Sequence, residues 1–253
     1  MRSVHPGPAI GLAAQLVLLA LVDAMVGLGA VAVAVGVTCG LGTAALLDRA
    51  MIRSGSTSLG PAYRVTLVRA VLVGTVAALV AQSYVGAVPV GAVAGVALVA
   101  LVLDAVDGRV ARRTGTATGL GARFDMEVDA FLILVLSVFV APAVGPWVLA
   151  IGAMRYAYVV AGWVLPWLRG PVPPRYWRKV VAGVQGVTLA VVAAGVLAWP
   201  VADAAVFAAL ALLVESFGRD VVGQWRHRVD AHGHIDVGGH VVLLARPELG
   251  FPR

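Results

Sequence analysis

Four aspartates lie close together along an otherwise apolar part of the chain. The text reads Asp104-Ala-Val-Asp107-Gly108-Arg-Val-Ala111-Arg112, followed by Gly121, Asp125 and Asp129. Asp104 and Asp107 are spaced to share one face of a helix end, and Asp125 and Asp129 one face of the next helix start. A connection of about 17 residues separates the two helix ends, and antiparallel packing would bring all four carboxylates together. Crowded carboxylates repel one another, and a hard divalent cation relieves that conflict. Oxygen-only ligands suit Mg²⁺ or Mn²⁺ rather than zinc, and two such ions about 4 Å apart would clamp a diphosphate. The neighbours fit that chemistry. Gly108 lets a backbone approach a ligand closely. Arg112 can fork onto phosphate oxygens. The 113–121 stretch, with its glycines and Thr114, Thr116 and Thr118, offers amides and hydroxyls. The residues point to metal-assisted phosphoryl-type transfer.

The elements that must position these groups are transmembrane helices. A helix needs about 20 mostly apolar residues to cross about 30 Å of hydrocarbon. Eight stretches qualify, at about 8–27, 28–48, 62–82, 88–106, 125–144, 146–168, 179–199 and 201–221. Gly27 to Gly29 are expected to turn the first into the second. Pro142, Pro146 and Pro200 are expected at junctions, where a missing amide donor costs little. The N-terminal apolar stretch runs on too far for a signal peptide.

Composition supports this class. Of the 253 residues 60% are hydrophobic and 13% charged, with a mean hydropathy of +0.94. A soluble domain carries about 25% charged residues, so the composition argues against a soluble globular fold and disfavours disorder. The single cysteine, Cys39, forms no intrachain disulfide or cysteine zinc site. Net charge is +6, with 18 Arg and one Lys. These residues sit between apolar segments, chiefly in 49–69, 104–123, 169–179 and 219–253, which indicates membrane orientation rather than nucleic-acid binding. The positive-inside rule then puts both termini in the cytoplasm, which requires an even number of spans, and eight satisfies it. Arg-rich usage with abundant Ala, Val and Gly hints at a GC-rich, bacterial source. Arg155 is the exception to the pattern, near the middle of the sixth span, and an ionisable residue at that depth is a functional candidate.

The pattern D-x2-D-G-x2-A-R-x8-G-x3-D-x3-D, from Asp104 to Asp129, is similar at all eight fixed positions to the signature of the CDP-alcohol phosphatidyltransferase family. The resemblance implies an all-α, polytopic helical membrane protein. Spans three to eight would be a six-helix core, and the first two an extra N-terminal pair. The corresponding division is 1–56 for the N-terminal pair, 57–228 for the catalytic core and 229–253 for a cytoplasmic tail. Thr66-Leu-Val-Arg69 looks like the basic start of the first core helix. Arg178-Lys179 with Gln185 looks like a stretch that several members carry before the fifth.

What the resemblance implies for chemistry is a single displacement. An acceptor hydroxyl attacks the lipid-side phosphorus of a CDP-linked lipid, most often CDP-diacylglycerol, and CMP leaves. Asp104, Asp107 and Asp125 would hold one metal ion. Asp129 would share a second with Asp104 and Asp125 and would be the general base. Gly108, Arg112 and Thr118 would contact the cytidine diphosphate. By the same resemblance Arg155 would bind the phosphate of an anionic acceptor, such as glycerol 3-phosphate or inositol phosphate, with Arg178 and Lys179 completing a cationic pocket. The resemblance also allows a homodimer.

Other residues carry less. Tyr156 and Tyr158 are expected to be packing or interfacial aromatics. Glu127 points to a different helix face from Asp125 and Asp129 and is expected to be solvated or in a supporting position. Asp220 and Asp230 are expected to be solvated caps, and Asp23, Asp203 and Glu215 to face water or a polar seam. His227, His232, His234 and His240 belong to a solvated tail. Within the same chemistry, the alternative is another CDP-alcohol donated to a lipid or a polyol phosphate. A transporter is the alternative of a different class, but it would place its ionisable groups near the midplane, whereas the four Asp cluster at a cytoplasmic helix end.

Overall fold

A computed structural model describes residues 6–54, 61–114, 119–170 and 176–232. Among these the chain is all-helical, with eight helices: α1 Pro6–Val26, α2 Ala30–Ser54, α3 Pro61–Ser83, α4 Val90–Thr114, α5 Gly119–Val144, α6 Leu149–Val164, α7 Tyr176–Ala193 and α8 Trp199–His232. Short 3-10 turns, Pro146–Val148 and Pro166–Arg169, flank α6. In hydrocarbon every backbone polar group must be satisfied within the segment, which is why such apolar sequences fold as helices.

α3 is the central helix. In its most apolar stretch 78% of the residues are buried, against 44% in α5 and 28% or less in α1, α2, α6 and α8. It packs on α1, α2, α4 and α5, while α7 packs on α4, α5 and α8. The main core runs through Val73, Val76 and Leu79 of α3, Val93 and Ala97 of α4, Leu132 and Leu136 of α5, Leu189 of α7 and Val206 of α8. α6 lies against α5 so closely that a Cβ on Gly152 would stand 2.5 Å from Leu134 Cα.

The turn from α1 to α2 follows the expectation. Gly27 has φ +75°, a conformation that favours glycine. Its N–H donates to the Asp23 carbonyl at 2.8 Å, and the Leu28 N–H donates to the Asp23 carboxylate at 2.7 Å. Asp23 is therefore a helix-ending acceptor. The Gly29 N–H then donates to Gln82 Oε1 at 2.8 Å, tying the turn to α3.

Several boundaries differ from the sequence expectation. α4 continues to Thr114 and α5 begins at Gly119, so the aspartates lie inside helices, and only 115–118, outside the described residues, separate them. Helix formation continues past the apolar stretch because charged and small residues also propagate a helix, whereas hydropathy follows only the bilayer. α7 ends at Ala193, and Gly195 (φ +67°) lies in the link to α8, which runs on to His232.

Pro142 lies inside the last turn of α5 rather than at a junction. Having no N–H, it leaves the Val138 carbonyl without its helical donor, and the Tyr84 hydroxyl donates to that carbonyl at 2.6 Å.

Among the described residues, six of the eight expected spans are long and apolar enough to cross a membrane: those of α1, α2, α3, α5, α6 with its preceding turn, and α8. The apolar part of α4 is the shorter Val90–Val106, and α7 has 18 residues with Arg178 and Lys179 in its first turn. Both are flanked by other helices of the bundle. The chain is a polytopic helical membrane protein.

Candidate active site

Three helices supply the site. Asp104 comes from the polar half of α4, Asp125 and Asp129 from the first turns of α5, and Arg69 from α3 between them. The i, i+4 spacing of Asp125 and Asp129 puts both on the α5 face that meets α3. One oxygen from each of Asp104, Asp125 and Asp129 lies within 4.8 Å of the other two. This convergence is the one the Asp spacing predicts for these three residues. Asp107, Gly108 and Arg112 follow on α4, where the backbone is helical but the side chains are outside the described set. Thr118 lies outside the described residues.

Arg69, which the sequence marks only as part of a basic helix start, stands at the centre. Its side chain is wholly buried, while those of the three aspartates are about a third exposed or slightly more. Nη1 lies 2.9 Å from Asp104 Oδ1 and also pairs with Asp125, and Nη2 pairs with Asp129. Burying a charge is tolerable only when it is paired and hydrogen-bonded, and here three carboxylates do so. The available signal was an arginine with Leu67 and Val68 on one side and Ala70 and Val71 on the other, the same kind of setting that singled out Arg155. A small apolar cluster supports this end of α3, with Leu47 of α2 and Leu67 of α3 packed together and Phe124 of α5 against them.

Three carboxylates against one guanidinium leave a net negative, partly open cluster of hard oxygen donors. That donor set fits Mg²⁺ or Mn²⁺.

The expected acceptor cations are distributed differently. Arg155, on α6, pairs with Glu127 of α5, and both are partly exposed. Arg178, on α7, pairs through Nε with Asp220 Oδ2 of α8 at 3.3 Å. Asp220 is only 11% exposed, so it is an ion-pair partner between helices and not a solvated cap. Lys179 is exposed. Gln185 is buried and donates to the Ala209 carbonyl of α8 at 2.8 Å, a packing role. Glu215 pairs with Arg219 and accepts from Trp177 Nε1 at 3.2 Å.

The α6–α8 seam explains the aromatics. Tyr158 packs edge-on against Phe217 at 5.4 Å between ring centres, and its hydroxyl donates to Gln224 Oε1 at 3.0 Å. Gln224 in turn donates to the Gly170 carbonyl at 2.9 Å. Tyr158 is a packing residue here. Arg228 stacks over Trp225 and Trp167, at 5.6 and 6.0 Å from their ring centres.

Comparison with known proteins agrees with the geometry. The family model described as CDP-alcohol phosphatidyltransferase matches residues 61–216, more than half of the chain. No curated protein and no solved structure gives a significant match. The matched region begins with α3 and ends within α8, so it contains every helix that contributes to the Asp cluster, and α1 and α2 precede it. A correspondence that runs from α3 into α8 extends far beyond a short motif, and the chain belongs to the CDP-alcohol phosphatidyltransferase family.

Proposed function

We propose that the protein transfers a phosphatidyl group from CDP-diacylglycerol to a phosphorylated polar alcohol and releases CMP. Family membership carries the coarser statement, a membrane transferase of phospholipid synthesis that uses a CDP-alcohol donor. The observation that supports metal-assisted transfer at a diphosphate is the convergence of Asp104, Asp125 and Asp129 in a partly open cluster.

In this reading Asp104, Asp107 and Asp125 hold one divalent ion, and Asp104, Asp125 and Asp129 a second. When bound, the ions supply charge neutralisation to the diphosphate. Asp129 accepts the proton of the acceptor hydroxyl. The hydroxyl oxygen bonds to the lipid-side phosphorus, the bond from that phosphorus to the bridging oxygen breaks, and CMP departs with that oxygen. Gly108, Arg112 and Thr118 hold the donor's cytidine diphosphate. Positioning and charge neutralisation are most of what such a displacement requires.

Arg155 receives the acceptor's anionic group. Its place in the middle of α6 supports this, and because Glu127 lies on a different face of α5 from Asp125 and Asp129, the acceptor has to draw Arg155 away from that ion pair. Arg178 and Lys179 complete the subsite only if Arg178 exchanges Asp220 for the acceptor. The distribution of basic residues supports a site and both termini on the cytoplasmic side of a cell membrane. The catalytic core spans 57–228, with α1 and α2 as an addition before it and 229–253 as a cytoplasmic tail.

The test is purified full-length protein supplied with CDP-diacylglycerol or other CDP-alcohols and a panel of free and phosphorylated alcohols. CMP release and lipid product are measured. Product from CDP-diacylglycerol with a phosphorylated alcohol is expected. CMP release only from a different CDP-alcohol, or only with uncharged acceptors, would overturn the donor or the acceptor assignment respectively.

A further inference from the structure

Arg69 grips the same three carboxylates that form the candidate metal site. Nη1 is 2.9 Å from Asp104 Oδ1 and pairs with Asp125 Oδ1, and Nη2 pairs with Asp129 Oδ1. The guanidinium is fully buried, whereas the carboxylates are 34 to 40% exposed. The cation of the protein therefore approaches from the interior and leaves the opposite side of the cluster open. Nε of Arg69 is buried and has no hydrogen-bond partner among the described residues. An unmatched buried donor is costly, so the guanidinium is held at this point by the three charges in front of it and not by a complete set of its own hydrogen bonds.

A guanidinium and a divalent cation in contact with the same carboxylates repel each other strongly, because a few ångströms of partly buried protein screen poorly. We propose that Arg69 is a built-in competitor of the divalent metal. It holds Asp104, Asp125 and Asp129 together across α3, α4 and α5, yields part of these contacts when the metal binds, and so sets the metal affinity of the site. Arg69 is a positioning residue in this role. The inference rests on reading the Asp cluster as a metal site.

The test is Mn²⁺ binding, followed by the electron paramagnetic resonance signal of free Mn²⁺, to metal-stripped full-length protein in nanodiscs. Wild type, Arg69→Gln and Arg69→Lys are compared, and each is melted with and without saturating Mn²⁺. Arg69→Gln is expected to bind Mn²⁺ about tenfold tighter than wild type or more, since a competing positive charge is gone, with Arg69→Lys in between. Stripped Arg69→Gln is expected to melt below stripped wild type and to gain more from Mn²⁺. Recovery of Arg69→Gln only when Mn²⁺ is present throughout purification supports the same conclusion. Equal or weaker Mn²⁺ binding by Arg69→Gln overturns the proposal, as does failure to recover it under either condition. Wild type that binds no Mn²⁺ overturns the metal reading as well. Wild type that binds it, with no gain in Arg69→Gln, removes only the competitor role.

Discussion

Arg155 on α6 and Glu127 on α5 form an ion pair on a face of α5 that Asp125 and Asp129 do not share. An acceptor anion that uses Arg155 must compete with that carboxylate. Arg155→Ala should raise the KM for a phosphorylated acceptor by about tenfold or more, the worth of a charge-assisted hydrogen bond, with little change in donor KM. Glu127→Gln should lower the acceptor KM by about fivefold at most, because partly exposed ion pairs are weak. Steady-state kinetics with acceptor and donor varied separately decide the matter. An unchanged acceptor KM in Arg155→Ala would sink the assignment.

Asp129 has a second function to test. Asp129→Asn keeps the shape of the side chain but cannot take a proton from the acceptor. CMP release should fall by about 10²–10⁴-fold, the usual contribution of a general base, while the labelled donor still binds. Full turnover by this variant would exclude Asp129 as the base.

The donor set of Asp104, Asp125 and Asp129 consists of hard oxygens. Chelation should stop CMP release, and adding back Mg²⁺ or Mn²⁺ should restore it. Undiminished turnover in excess chelator would contradict the metal reading.

The shared face of Asp125 and Asp129 was legible because helical spacing is local information, whereas Asp104 of α4 meets them because α4 and α5 both pack on α3. The eight helices were legible from apolar run lengths. Their ends were not, since α4 and α8 continue as helices where the sequence is no longer apolar and hydropathy carries no signal. The inward pairing of Arg69 was not legible, because a basic residue near a span end usually marks the membrane boundary, and only the packing of α3 on α4 and α5 turns it inward. The partners of Arg155 and Arg178 depend on the register of α6 on α5 and of α7 on α8, which no pattern within one helix encodes. The Val138 carbonyl, freed by Pro142, is met by Tyr84, 54 residues away in sequence. A local reading of Pro142 could only place it at a helix end.

The docking of the N-terminal helix pair separates two kinds of contribution. Gln15 of α1 is buried, and its Nε2 donates to Thr75 Oγ1 of α3 at 3.2 Å, while the Thr75 hydroxyl also donates to the Val71 carbonyl at 3.0 Å. Thr75 therefore keeps a partner if Gln15 is lost. Side-chain hydrogen bonds between membrane helices average about 0.6 kcal/mol, so Gln15→Leu should cost little more than that. Gly74 is a different case. A Cβ there would stand 2.8 Å from Gln15 Oε1 and 3.2 Å from Cys39 Cβ, so a larger side chain has to push α1 and α2 away together. Gly74→Val should cost about 1–3 kcal/mol, the usual penalty for overpacking, and should do so even when combined with Gln15→Ala, because Cys39 still blocks the space. Unfolding in mixed detergent micelles measures both variants. If Gly74→Val costs no more than Gln15→Leu, then α1 and α2 do not pack on α3 as described.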